Sequence, residues 1–190
     1  NNVATAEIWK IQVVEGLFNR LVLEYSEIVR ITESIRNPYH LAYHARCIME
    51  IAYMSEFSSK NIQNSKKLYD DVARDVLDLT QKLKKWAELQ GINDLAEELS
   101  NSIEPLKDNA KLHGVDNLDD RYLEIRDIAK DLGHENHYNI TNKFLSKLTH
   151  PTAMSVINSS EFAQKFTGVI FDLACIYFIH GFNCIDKSLV

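Results

Sequence analysis

Apolar residues recur at steps of three and four along nearly the whole chain, and little interrupts them. Ile8, Ile11, Val14, Leu17, Phe18, Leu21, Tyr25, Ile28 and Val29 set the pattern. That period is the signature of an amphipathic helix, since residues three and four apart share a helix face. The 190 residues hold only six glycines and three prolines, too few turn-formers for a β-rich fold. The chain is expected to be an all-α bundle of about six to seven helices, in a single domain spanning residues 1–190.

The expected helices follow from the period and its stops. The first runs from about Ala6 to Ser34 and ends at Asn37-Pro38, with Pro38 placed to open the second, which reaches Ser59. Leu41, Ala45, Ile48, Ala52 and Met54 or Phe57 should face inward. The third runs from Asn64 to Gln90, with Gly91 as a left-handed cap. Its charges, Lys66, Lys67, Asp70, Asp71, Arg74, Asp75, Lys82, Lys84 and Lys85, read as a solvated face. Asp94 should cap a short fourth helix, broken near Pro105 and closed by Gly114. Leu118 to Leu132, ended by Gly133, forms a fifth, and residues 135–149 a sixth. Ser159 or Ser160 should cap a long last helix from Glu161 to about Leu189. Within it, Gly168 to Phe182 is interrupted by Asp172 and His180. That run is too short and polar for a membrane span, which needs about 20 apolar residues. It reads as the most buried helix of the core.

Composition narrows the partners. The net charge of −6 opposes binding to duplex DNA over a broad face, though not a small local basic site. Cys47, Cys175 and Cys184 form no CxxC and read as buried structural thiols of a reducing compartment. No basic and apolar leader opens the sequence. A cytoplasmic protein without membrane contact is expected.

Two constellations stand out. Arg46 and Glu50 lie four apart on the second helix among apolar neighbours, so they share one face and should be at least half-buried. A charge pair in such company is either structural or a preformed site whose arginine holds an anion. On the sixth helix, Tyr138, Asn142, Ser146 and His150 form a polar stripe at four-residue steps. Without charge repeats, such a stripe resembles a hydrogen-bond ladder or a pocket wall. His150 stands at the helix C-terminus, where the dipole favours the imidazolium. A serine bonded to a histidine is a nucleophile in principle, but no third group or oxyanion donor accompanies Ser146. The histidine pairs His40/His44 and His134/His137 lack the carboxylate spacing of bundle metal sites, so no metal and no cofactor is expected.

The run Tyr43-His44-Ala45-Arg46-Cys47-Ile48-Met49-Glu50, followed by Tyr138-Asn139 and Lys143-Phe144-Leu145-Ser146-Lys147-Leu148-Thr149-His150-Pro151, resembles an uncharacterised prokaryotic family. Its members show an Arg-x-x-x-Glu helix and a later Tyr…Ser-x-x-x-His helix, and the family is similar to the HEPN superfamily. HEPN proteins are small helical bundles, often dimers, and many are RNases of toxin, defence or RNA-processing systems. The resemblance implies catalytic roles for His150, Ser146, Arg46 and Glu50. It implies substrate contacts for Lys143, Lys147, Tyr138 and Asn142, with RNA as substrate and a homodimer as the assembly. One departure matters. HEPN nucleases carry an arginine, four to six intervening residues and then the histidine, and here Lys143, with six residues between it and His150, holds the arginine's place. Arg36-Asn37-Pro38-Tyr39-His40 begins like the signature but is one residue too short. Lysine clamps phosphate less well than arginine, so the guanidinium would come from Arg46 on another helix. A non-enzymatic, dimeric interaction or regulatory module is the alternative that the acidic composition also suits.

Overall fold

In the computed structural model the chain is all-α. The structure describes residues 2–35, 37–115, 118, 122–150 and 163–189, and among them no strand occurs. Seven helices are described: α1 (Asn2–Arg30), α2 (Pro38–Lys60), α3 (Ile62–Gln90), α4 (Asn93–Leu112), α5 (Ile125–Asp131), α6 (Glu135–Thr149) and α7 (Thr167–Ser188). A π-helical turn, Ile31–Ile35, extends α1. Arg36, Pro151 and the Ser159 or Ser160 cap with Glu161 lie outside the described residues. The helices form two compact units, residues 1–65 with 124–190, and residues 66–123.

In the first unit α2 is central. It packs on α7 most extensively, then on α1, α6 and α5. Asn37 caps it, its Oδ1 accepting the Tyr39 N–H at 3.0 Å, and Pro38 supplies the first turn. Leu41, Ala45, Ile48, Ala52 and Phe57 are buried as expected, and so are Ala42, Met49, Ile51, Tyr53, Ser55, Glu56 and Ser58. A helix enclosed on several sides has no solvent stripe. The most buried helix is therefore α2 rather than the last one, because α7 meets neighbours on only part of its circumference. Only 33% of its apolar window is buried. The helix also runs longer than the Gly168–Phe182 stretch. At 22 residues α7 is long and apolar enough to cross a membrane, by length and composition.

The α2–α7 contact is close because of Gly181. A Cβ there would sit 3.2 Å from Ala52 Cα and 3.3 Å from a Leu21 methyl. On α1 only Val14, Leu21 and Ile28 of the periodic set are buried, while Ile8, Ile11, Phe18 and Val29 are exposed. The core thus takes a narrower stripe of α1 than its periodicity suggests.

In the second unit α3 and α4 form a hairpin. Gly91, at φ 70°, closes α3, with the Ile92 N–H returning to Ala87 O at 2.9 Å. Lys66 at the start of α3 donates to Gly114 O beyond the end of α4, at 3.0 Å. Three expectations fail here. Asp94 lies in the first turn of α4, whose cap position is Ile92. Pro105 sits inside α4 without ending it, at a point where Asn101, the residue whose carbonyl loses its bond, is exposed. The segment before α5 is not helical where it is described: Tyr122 Oη donates to Arg74 O at 3.2 Å, and Leu123 N–H donates to Asp71 Oδ2 at 2.8 Å. Tertiary bonds to α3 replace the helix there. They also revise the solvated face, since Asp71 and Arg74 are paired at 2.7 Å and largely buried, as are Lys66 and Asp70.

Candidate functional site

The site lies in the first unit, where α2 and α6 run antiparallel. On α2, Arg46, Glu50, Tyr53, Glu56 and Lys60 follow one another at helical steps and share a face. α6 lays its own polar side along it, with His150 beside Arg46 and His134 beside Glu56.

Arg46 is the hub of one end. Its Nε donates to Glu50 Oε1 at 2.9 Å, and its Nη1 lies 3.0 Å from His150 Nε2. Both members of the Arg46–Glu50 pair are half-buried, with side chains 28% and 27% exposed. A guanidinium can only donate, so the contact with His150 requires the lone pair on Nε2, hence a neutral ring protonated on Nδ1. Among the described residues nothing bonds Arg46 Nη2. The arrangement is a held guanidinium beside a neutral imidazole, the latter at an exposed helix terminus.

Tyr138 is buried behind this pair. Burial and the Glu50 carboxylate raise its phenol pKa, against Arg46 and Arg126. It is thus a wall of the site and a proton donor rather than an anion. Ser146 turns away from His150. Its Oγ donates to Asn142 Oδ1 at 3.2 Å, and only its backbone carbonyl meets the His150 N–H, at 3.1 Å. Ser146 and Asn142 are half-buried. The structure does not assemble a Ser-His nucleophile. Lys143 and Lys147 are exposed on the outer side of α6. They line an apolar groove of about 370 Å³ with Ile140, Phe144, Leu148 and Phe166. Lys143, Lys147 and His150, spaced four and three apart, share one face of α6.

The sequence profile of a family of unknown function (DUF5677) matches residues 12–164. The chain belongs to that family. Comparison with curated proteins and with solved structures gave no match. The matched span of this DUF5677 chain contains Arg46, Glu50, Tyr138, Asn142, Ser146 and His150.

A second cluster occupies the other end of the same α2 face, and sequence reasoning missed it. Glu56, largely buried, receives His180 Nε2 from α7 at 2.8 Å and His134 Nε2 at 3.2 Å, both on Oε2. Lys60 Nζ lies 3.4 Å from its other oxygen. Burial alone would raise the Glu56 pKa, but the His180 bond and the charges of His134 and His180 hold it below the usual range. The His180 pKa is pushed up to about 9 by the Cys184 sulfur and Glu56, against burial. Deeper in, Tyr177 Oη lies 3.1 Å from His137 Nδ1, and Tyr53 Oη lies 3.4 Å from both. Cys184 Sγ sits 4.0 Å from the His180 nitrogen that also meets Glu56. A relay needs opposite nitrogens, so no Cys-His-Glu triad forms.

Among the described residues no group of three or more His, Cys, Asp or Glu is arranged to hold a metal ion. His44 is spent on buried Glu24, at 2.6 Å. The signal for the missed cluster was present. Glu56 stands in the apolar run Met54-Ser55-Glu56-Phe57, as Arg46 does in its own, and Tyr177 with His180 repeats the one-turn spacing on α7.

Proposed function

We propose that this chain is a HEPN-like protein that cleaves RNA without a metal, in RNA processing or defence. One observation carries the reading: Arg46 Nη1 lies 3.0 Å from His150 Nε2, joining two residues 104 positions apart in the sequence. RNA cleavage by transphosphorylation needs a base for the 2′-hydroxyl and a cation for the charge that grows on phosphorus. His150 turns off Arg46, and the Nε2 lone pair so freed removes the 2′-OH proton. The 2′ oxygen attacks phosphorus, the bond to the 5′ oxygen breaks, and that oxygen takes a proton from solvent. Arg46, held by Glu50, presents Nη2 to the phosphoryl oxygens. Lys143 and Lys147 continue the cationic line on which the neighbouring phosphates lie. The products are a 2′,3′-cyclic phosphate and a free 5′-hydroxyl.

The test is incubation of purified protein with total RNA in a chelator, beside His150→Ala. The wild type should cut and leave cyclic phosphate ends. His150→Ala should be slower by roughly 100-fold or more, the usual weight of a general base. Equal cleavage by both proteins, or none by the wild type, refutes the nuclease and leaves a non-enzymatic module.

A further inference from the structure

The α3–α4 hairpin carries a feature the RNA reading does not use. Along α3, Val72, Val76, Leu79, Leu83 and Trp86 follow at steps of four, three, four and three. That alternation is the heptad seam of a coiled coil, narrower than the stripe that docks a helix onto a globular core. The side of α3 away from the seam holds Leu77 and the largely buried Lys66–Asp70 and Asp71–Arg74 pairs, while the five seam residues remain between 42% and 62% exposed. Single exposed apolar side chains are ordinary, but a continuous heptad line of them is a surface made for another helix.

We propose that α3 joins two copies of this chain in an antiparallel coiled coil. The seam is self-complementary in that orientation. With the two-fold axis between residues 77 and 78, Val76 meets Leu79 of the second copy and Val72 meets Leu83. Tyr69, one heptad step before Val72, meets Trp86. Every layer then pairs a smaller side chain with a larger one, and each contact occurs twice, as two-fold symmetry requires. A parallel pair would instead stack valine on valine and tryptophan on tryptophan.

The charges select the same orientation. The charges that border the seam are Asp75 before the axis and Lys82 after it, since the Lys66–Asp70 and Asp71–Arg74 pairs are largely buried on the opposite side of α3. Antiparallel packing brings Asp75 of one copy to Lys82 of the other, whereas in a parallel pair the two stand seven residues, about 10 Å, apart along the axis. Asp75 and Lys82 border the seam on the same edge, seven residues apart, and come opposite each other across the axis. Within one copy Asp75 is surrounded by its own sign: burial, then Asp71 and Asp78, raise its carboxyl pKa. Lys82 of the second copy, which pairs with Asp78 of its own chain at 2.5 Å, supplies a cation to Asp75 as well.

Sedimentation equilibrium of the full chain at micromolar concentration tests this. The wild type should sediment at twice 21.9 kDa. Leu79→Lys removes two buried leucines per dimer and should weaken association roughly a hundredfold or more, with helicity by circular dichroism unchanged. Asp75→Lys and Lys82→Asp should each weaken the dimer, and the double swap should restore it. These are surface changes, so they report even if Leu79→Lys folds poorly. A monomeric wild type, a dimer indifferent to Leu79→Lys, or a double swap no better than the single variants overturns the proposal.

Discussion

At the scale of single residues, the polar face of α2 shows what a sequence discloses and what it withholds. A charge among apolar neighbours marks a site, and Arg46 with Glu50 was legible on that ground. What Arg46 touches was not, because His150 reaches it from a separate helix and the direction of Ser146 depends on Asn142. Arg46→Lys therefore makes a sharp test of the RNA reading. Lysine keeps the charge but cannot bond Glu50 and His150 through a rigid fork. Cleavage should fall roughly 10- to 100-fold, measured on a single RNA substrate, with melting temperature little changed. The Glu56 cluster gives a second test. Folding raises the His180 pKa from an ordinary 6.5 to about 9, so its stabilisation is complete below pH 6.5 and is lost as pH rises toward 9. Glu56 is shifted the other way, so its share is present above its ordinary 4.5 and is lost as pH falls through the lowered value. His180→Gln should thus lower the melting temperature most between pH 4.5 and 6.5. His180 is partly exposed and screened, so the expected drop is about 2–4 °C, what roughly 1 kcal/mol produces in a chain of this size. A drop that persists undiminished above pH 9 would contradict the assignment.

Whole elements were more legible than single contacts, since periodicity and breakers are local properties. Gly91 and Gly133 close their helices with positive φ, as their positions foretold. The failures occur where a tertiary bond overrides a local preference. Tyr122 and Leu123 bond α3 in place of their own helix, and Pro105 is accommodated inside α4, one turn after the exposed Asn101. Gly181 is the clearest case. Its sequence context, mid-helix, reads as a defect, for glycine costs about 1 kcal/mol relative to alanine there. The structure gives the reason: α2 and α7 approach too closely at Ala52 for a larger side chain. Gly181→Val should therefore destabilise the first unit by about 1–3 kcal/mol through overpacking, read from denaturant titration. A neutral or stabilising outcome would mean that α7 can slide away from α2 without loss.

For the molecule as a whole, net charge and local charge point in opposite directions. A chain at −6 repels polyanions at long range, yet Arg46 meets His150 at the end of α6, and Lys143 and Lys147 lie on the outer side of the same helix. Beyond one Debye length, about 8 Å at physiological salt, the acidic background is screened, while a phosphate in contact with Arg46 or a lysine is not. Binding should then depend on few contacts and be modest in strength. If Arg46, Lys143 and Lys147 each neutralise one phosphate of single-stranded RNA, the slope of log affinity against log salt should be about −2, from roughly −0.7 per contact. Replacing both lysines by glutamine should bring it to about −0.7 while leaving the cleavage chemistry at His150 in place. Fluorescence anisotropy across a salt series, on the His150→Ala protein so that the RNA survives, reads this directly. A slope much steeper than three contacts allow would place the nucleic acid on another surface, and a slope near zero would remove RNA as the partner of this face.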